Sequence, residues 1–219
     1  GLSFEDDPET GSGLEQSLCR EAINSPEGLP LLEFLLTELY ESTNADGVIT
    51  WEKYKQLGGI SGALSQRAEF TLSELSLECK KALPLVILKL MSYTNGKNLI
   101  RNWMPLDEAY DNILYRQIID HFVANRLFTV SRRNDNSMVS VSHEALIRSW
   151  PRITQIAQEH QDFLFFKSNL EIPLRAWEKS LVAEKNEHLL SGSVLREGSQ
   201  LMARFPDFFT RREKEFLQS

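Results

Sequence analysis

Of the four histidines in this sequence, His143 has the setting with most chemistry in it. It stands in VSVSHEALIRSW, residues 139–150. Val139 and Val141 alternate with Ser140 and Ser142 as in a strand, and then Ala145, Leu146 and Trp150 fall on one helical face. His143 and Glu144 therefore sit at a predicted strand-to-helix seam. An imidazole N–H there can donate to an oxygen of an anion, more strongly when protonated. The helix N-terminus adds oriented N–H groups and partial positive charge. Glu144 can cap that terminus or orient the ring. A plainer account fits the same spacing: a histidine that caps the helix or is partly buried.

A second stretch, GLPLLEF at 28–34, has a proline suited to the first turn of a helix, where its missing N–H costs nothing. Gly28 beside it permits a tight approach. On these residues alone it reads as the start of a core helix. Other chemistry is missing from the sequence. GxxxxGK[ST] does not occur, and Gly96-Lys97 lacks the preceding glycine pattern. HExxH, GxSxG and a close cysteine–histidine pair are absent too, and carboxylates cluster only in polar runs such as Glu5-Asp6-Asp7. No catalytic apparatus is legible. Cys19 and Cys79 are the only cysteines and are far apart, which argues against a disulfide or zinc framework and for a reducing, cytoplasmic setting.

The elements that would position these residues divide into blocks. A polar edge at 1–13, read as disordered, lacks the basic start and apolar run of a signal peptide. Helices are predicted over 14–23, 28–43, 48–59 (capped by Thr50) and 61–75, an all-helical unit spanning 14–70. Residues 71–150 read as a helix over 75–94, a strand within 98–106, helices at 106–112 and 113–128, and a β-hairpin turning at Asn134-Asp135-Asn136-Ser137. That order is the winged-helix arrangement. Residues 151–219 read as a helical arm, with a break near Pro173 and caps at Ser191 and Thr210. The fold class is mainly α. Neither end carries a terminal signal, so a piece of a longer protein is expected.

Charge is uneven. The chain carries −7, and residues 1–70, with 4 basic and 13 acidic side chains, account for −9. Residues 71–150 have 10 and 8, giving +2. An acidic chain does not suit generic DNA coating. The helix at 113–128 offers a near-neutral set, Arg116, Asp120, His121, Asn125 and Arg126. Arg132-Arg133 at the hairpin reads as a solvated tip. No run approaches the ~20 apolar residues that span a bilayer.

Five segments in order, LPLLEFLLTELYE, ITWEKYKQLGGISGALSQRAE, the predicted winged helix, VSHEALIRSWPRI, and LLSGSVLREGSQLMARF with FTRREKEFLQS, resemble the C-terminal half of the bacterial novel STAND NTPases across about 14–219. The Gly-x-Pro at Gly28 and Pro30 resembles the lid-domain motif of STAND signalling ATPases, including apoptotic and plant-resistance ATPases, whose proline packs on the adenine. Ser142-His143-Glu144 resembles their MHD motif, with serine for methionine and glutamate for aspartate. The histidine of that motif contacts the β-phosphate of ADP. The resemblance thus implies Gly28, Pro30, His143 and Glu144 as nucleotide-binding residues. It implies ADP or ATP with magnesium held mainly by a P-loop core, whose P-loop, Walker B and sensor segments would lie upstream.

The implied partners are that core, a downstream sensor such as a WD-repeat propeller, and other copies of the protein. The expected function is a regulatory fragment, not itself an enzyme, that couples nucleotide state to rearrangement and oligomerisation. Two alternatives remain: a winged-helix DNA-binding transcriptional regulator, and a protein-docking adaptor.

Overall fold

Leucines at helical spacing and well-placed caps dictate most of the first half. The computed structural model describes residues 3–7, 11–24, 28–43, 47–94, 98–133, 135–180 and 185–219. Ser25-Pro26, Asn44, Asp46, Gly96-Lys97 and Asn134, read above as breakers, turn residues or a lone Gly-Lys, lie outside them. Helix α1 (Leu14–Asn24) packs on α2 (Gly28–Glu41), which buries Leu31, Leu35 and Leu39. Thr50 caps α3 (Trp51–Gln56) by accepting from Lys53 N at 3.3 Å. Gly58 and Gly59, with φ of 73° and 70°, turn the chain into α4 (Gly59–Ser73), a conformation only glycine adopts without strain. The polar front contributes a strand: β1 (Ser3–Phe4) runs parallel to β2 (Val48–Ile49).

Ser76 opens α5 (Leu77–Lys89), accepting from Cys79 N at 3.2 Å. Pro84 lies inside this helix. The helix was expected to reach 94; it stops at Lys89 and gives way to β3 (Met91–Tyr93), antiparallel to β4 (Leu99–Arg101). A tertiary partner decides this. Tyr93 N donates to Ser168 Oγ at 2.9 Å, and the Tyr93 ring stacks on Phe165 with centroids 4.5 Å apart.

β5 (Met104–Pro105), α6 (Leu106–Tyr110) and α7 (Ile113–Ala124) follow. The predicted hairpin is β6 (Phe128–Arg133) with β7 (Asn136–Val141), and Asp135, just before β7, has φ 65°. β5 pairs with β7, giving a three-stranded antiparallel sheet in the order β5-β7-β6.

The remainder is helical: α8 (Glu144–Ser149), α9 (Pro151–Glu159), α10 (Gln161–Lys179), α11 (Gly192–Arg204) and α12 (Arg211–Gln218). The break expected near Pro173 is absent, since α10 runs through it; the chain bends instead at His160, between α9 and α10, with φ −120° and ψ 28°. Ser191 makes no side-chain cap, whereas Thr210 and Glu213 form a reciprocal capping box. The molecule is mainly helical, and its buried core is continuous from Leu14 to Leu217. Among the described residues no helix is long and apolar enough to cross a membrane.

Candidate functional site

The strand-to-helix seam is held from both sides. Ser142 ends β7's course, and both its N–H and its hydroxyl donate to Leu127 O at 2.9 Å. The serine thus ties the seam to the turn that follows α7. Ser140, fully buried, donates to Asn102 O at 2.7 Å. Arg101, at the end of β4, donates from Nη1 to Ser142 O at 3.3 Å. Its guanidinium also lies 5.8 Å from the centre of the Trp103 ring.

His143 occupies the N-cap position of α8 with extended backbone, φ −135° and ψ 143°, and its carbonyl accepts from Leu146 N at 3.1 Å. Its side chain makes no capping hydrogen bond. Among the described residues neither the imidazole nor the Glu144 carboxylate has a hydrogen-bond or ion-pair partner, although both are half-buried. The capping role open to His143 in the sequence is therefore not the one it plays. A half-buried ring whose nitrogens have no partner among the described residues, at a fixed backbone, is open to an external polar group.

Gly28 is the first residue of α2 and is buried. A Cβ there would fall 1.8 Å from Ala22 O, so the α1–α2 approach admits only glycine. Pro30, half-buried, is in the first turn of α2. α2 and α8 both pack against α4, so α4 is the scaffold shared by the Gly28–Pro30 turn and the His143 seam.

α4 also grips the far end of α8. Glu69 accepts from Trp150 Nε1 at 2.7 Å and receives a two-pronged bond from Arg152 Nε and Nη2, both at 2.9 Å. The Arg152 guanidinium, joined by Trp150, holds the Glu69 carboxyl below its ordinary range against the opposing effect of burial. Trp150 is fully buried and stacks on Phe122 at 5.8 Å. Neither Glu69 nor Arg101 was singled out from sequence, because nothing in AEF or LIR signals a partner eighty or forty residues away.

The groups that would touch DNA are largely occupied. Arg116 on α7 pairs with Asp120 at 3.6 Å and lies over Tyr110, whose hydroxyl donates to Asp120. Arg133 lies 4.0 Å from the centre of the Trp103 ring. Among the described residues no group of three or more His, Cys, Asp or Glu is arranged to hold a metal ion.

A model of the family described as novel STAND NTPase 1 matches residues 6–185. No curated protein and no solved structure matches the chain.

Proposed function

The chain belongs to the novel STAND NTPase 1 family, and from that premise we propose that it is the regulatory part of a STAND-type signalling ATPase. In this reading 14–70 is the lid, 71–150 the winged helix and 151–219 a helical arm. Together they convert the nucleotide state of a P-loop core into domain rearrangement and oligomerisation. The chain itself does not hydrolyse ATP, since its 219 residues contain no GxxxxGK[ST].

One observation carries the reading: the unpartnered, half-buried imidazole of His143 at a seam fixed by Ser142 and Arg101. His143 would donate to a phosphate oxygen of ADP, Glu144 would orient the ring, and Pro30, above the glycine-only turn at Gly28, would offer an apolar face to the adenine. Magnesium would be held by the core together with the nucleotide. Exchange for ATP would remove the His143 contact and release the winged helix from the lid. Only a contact that differs between the two nucleotides can shift such an equilibrium.

The test is calorimetric titration of ADP and of ATP into the natural protein carrying this chain, wild type and His143→Leu. A lost hydrogen bond to a charged group costs about 1.5–3 kcal/mol, so ADP is expected to bind roughly tenfold or more weakly to the variant. ATP affinity should stay unchanged. Equal ADP affinities would make His143 structural and sink the switch.

A further inference from the structure

Away from the His143 seam, a cleft of about 570 Å³ opens between the three-stranded sheet and the arm. Lys89, Trp103 and Arg133 form one side; Lys167, Lys179 and Glu213 contribute to the other. None of Gly28, Pro30, His143 or Glu144 lines it. Its volume lies within the range of small-molecule sites.

Among the described residues the charges that line this cleft do not balance. Three cations are matched: Lys167 to Glu213 at 3.2 Å, Arg175 to Glu171 at 2.6 Å, and Arg212 to Glu178 at 2.6 Å. Lys89, Lys179 and Arg133, whose guanidinium rests on the Trp103 ring, remain without a carboxylate, and among the described lining residues Glu108 is the carboxylate left over. Among the described residues no carboxylate lies within 4.0 Å of any of the three cations. The positive surplus arises in a chain whose net charge is −7.

Lys89 is the telling member. It is half-buried, at the last turn of α5, where its backbone carbonyl accepts from Asn102 Nδ2 at 3.2 Å. A lysine that served only the fold would be expected to draw a carboxylate into contact, because a desolvated ammonium without a partner is costly. Glu213 instead closes on Lys167, and Glu108 stays beyond ion-pair reach.

We propose that this cleft binds a small phosphate-bearing anion, with Lys89 as its inner cation and Arg133 and Lys179 at its rim. Three lining cations without a carboxylate partner, against one unpaired carboxylate, suit a multiply charged anion better than a single carboxylate. The site stands independently of the nucleotide reading of His143. The Lys89 ammonium is pushed down to about 8, first by burial and next by Lys167, while Glu213 and Glu108 act the other way and Lys214 adds to the depression. An anion seated beside it would favour the charged form. Binding near pH 8.5 should therefore take up a proton at Lys89.

Inorganic pyrophosphate, with EDTA present, is the probe, titrated calorimetrically into the whole 219-residue chain and into Lys89→Met, Lys89→Arg and His143→Leu. The expected result is saturable one-site binding, at least tenfold weaker in Lys89→Met and largely kept in Lys89→Arg and His143→Leu. Titration at pH 8.5 in two buffers of different ionisation heat should show a proton balance shifted toward uptake in wild type relative to Lys89→Arg, since any proton released by pyrophosphate itself is common to both. No saturable binding overturns the proposal, and so does equal affinity in Lys89→Met. Loss confined to His143→Leu would place the anion at the seam instead. Should Lys89→Met fail to fold, the exposed pair Arg133→Gln with Lys179→Gln carries the test: unchanged affinity there overturns the proposal as well.

Discussion

At the scale of single residues, two side chains carry unsatisfied chemistry in different ways. Among the described residues the His143 ring has no hydrogen-bond partner, although its backbone is fixed. Lys89 is charged in a place that disfavours charge. Its folded-state value near 8 is below the 10.5 of a free lysine, which has a definite consequence for stability. Below about pH 8 both folded and unfolded chains carry the proton, and the cost of burying it is felt in full. Between about 8 and 10.5 the folded chain has released the proton and the unfolded chain retains it, so wild-type stability rises with pH. Lys89→Met should therefore be more stable than wild type at pH 7, by about 1–2 kcal/mol after allowance for solvent screening. The difference should shrink to near zero by pH 10.5. Urea unfolding at pH 7 and pH 10 measures it; a destabilised variant at pH 7 would show that Lys89 has an attractive partner in the fold.

At the scale of elements, local signals mostly set where helices begin and end. α7 ends with Arg126 at φ 59°, the left-handed conformation usual for glycine. Arg126 N donates to Val123 O at 2.9 Å, and Leu127 N reaches back to Phe122 O at 2.9 Å. This is the double bond pattern of a Schellman end, made with a residue that has a Cβ. Arg126 is exposed, so Arg126→Gly should remove strain at little other cost and raise stability by about 0.5–1 kcal/mol. A thermal melt showing a lower midpoint would mean that the Arg126 side chain does more than close the helix.

At the scale of the molecule, the three sequence blocks share one core. Buried side chains run without interruption from Leu14 to Leu217. Long-range polar bonds reinforce the joins: Glu69 to Trp150 and Arg152, Ser168 to Tyr93, and Arg212 to Glu178. The Glu69 junction is the one between the proposed lid and the helix that begins at His143. Glu69→Ala leaves the fully buried Trp150 without its indole partner, which should cost about 1–3 kcal/mol. Because the carboxyl is held below its ordinary range, the stabilisation is present at neutral pH and fades as pH falls through the carboxylate range. Hydrogen exchange at pH 7 should show faster exchange over 144–159 in Glu69→Ala, with 77–89 little changed. Uniform acceleration over the whole chain would mean that Glu69 supports global stability and no junction in particular.

The sequence alone determined what depends on neighbours in the chain. Leucine spacing set α2, Thr50 and Thr210 marked helix starts, the alternation around 134–137 set the hairpin, and the change of period at 142–144 located the seam. It also picked out Gly28, whose need for close approach is local to α1 and α2. Tertiary structure decided what depends on distant partners. Residues 91–93 leave the helix because Ser168 and Phe165 meet them. Pro173 stays inside α10, which also supplies Phe163, Phe166 and Leu170 to the core. The cleft and its uneven charges are legible only once α5, the sheet, α10 and α12 are brought together. Periodicity and capping are properties of a few consecutive residues, whereas the desolvation of Lys89 and the grip on Glu69 arise from groups that the chain keeps far apart until it folds.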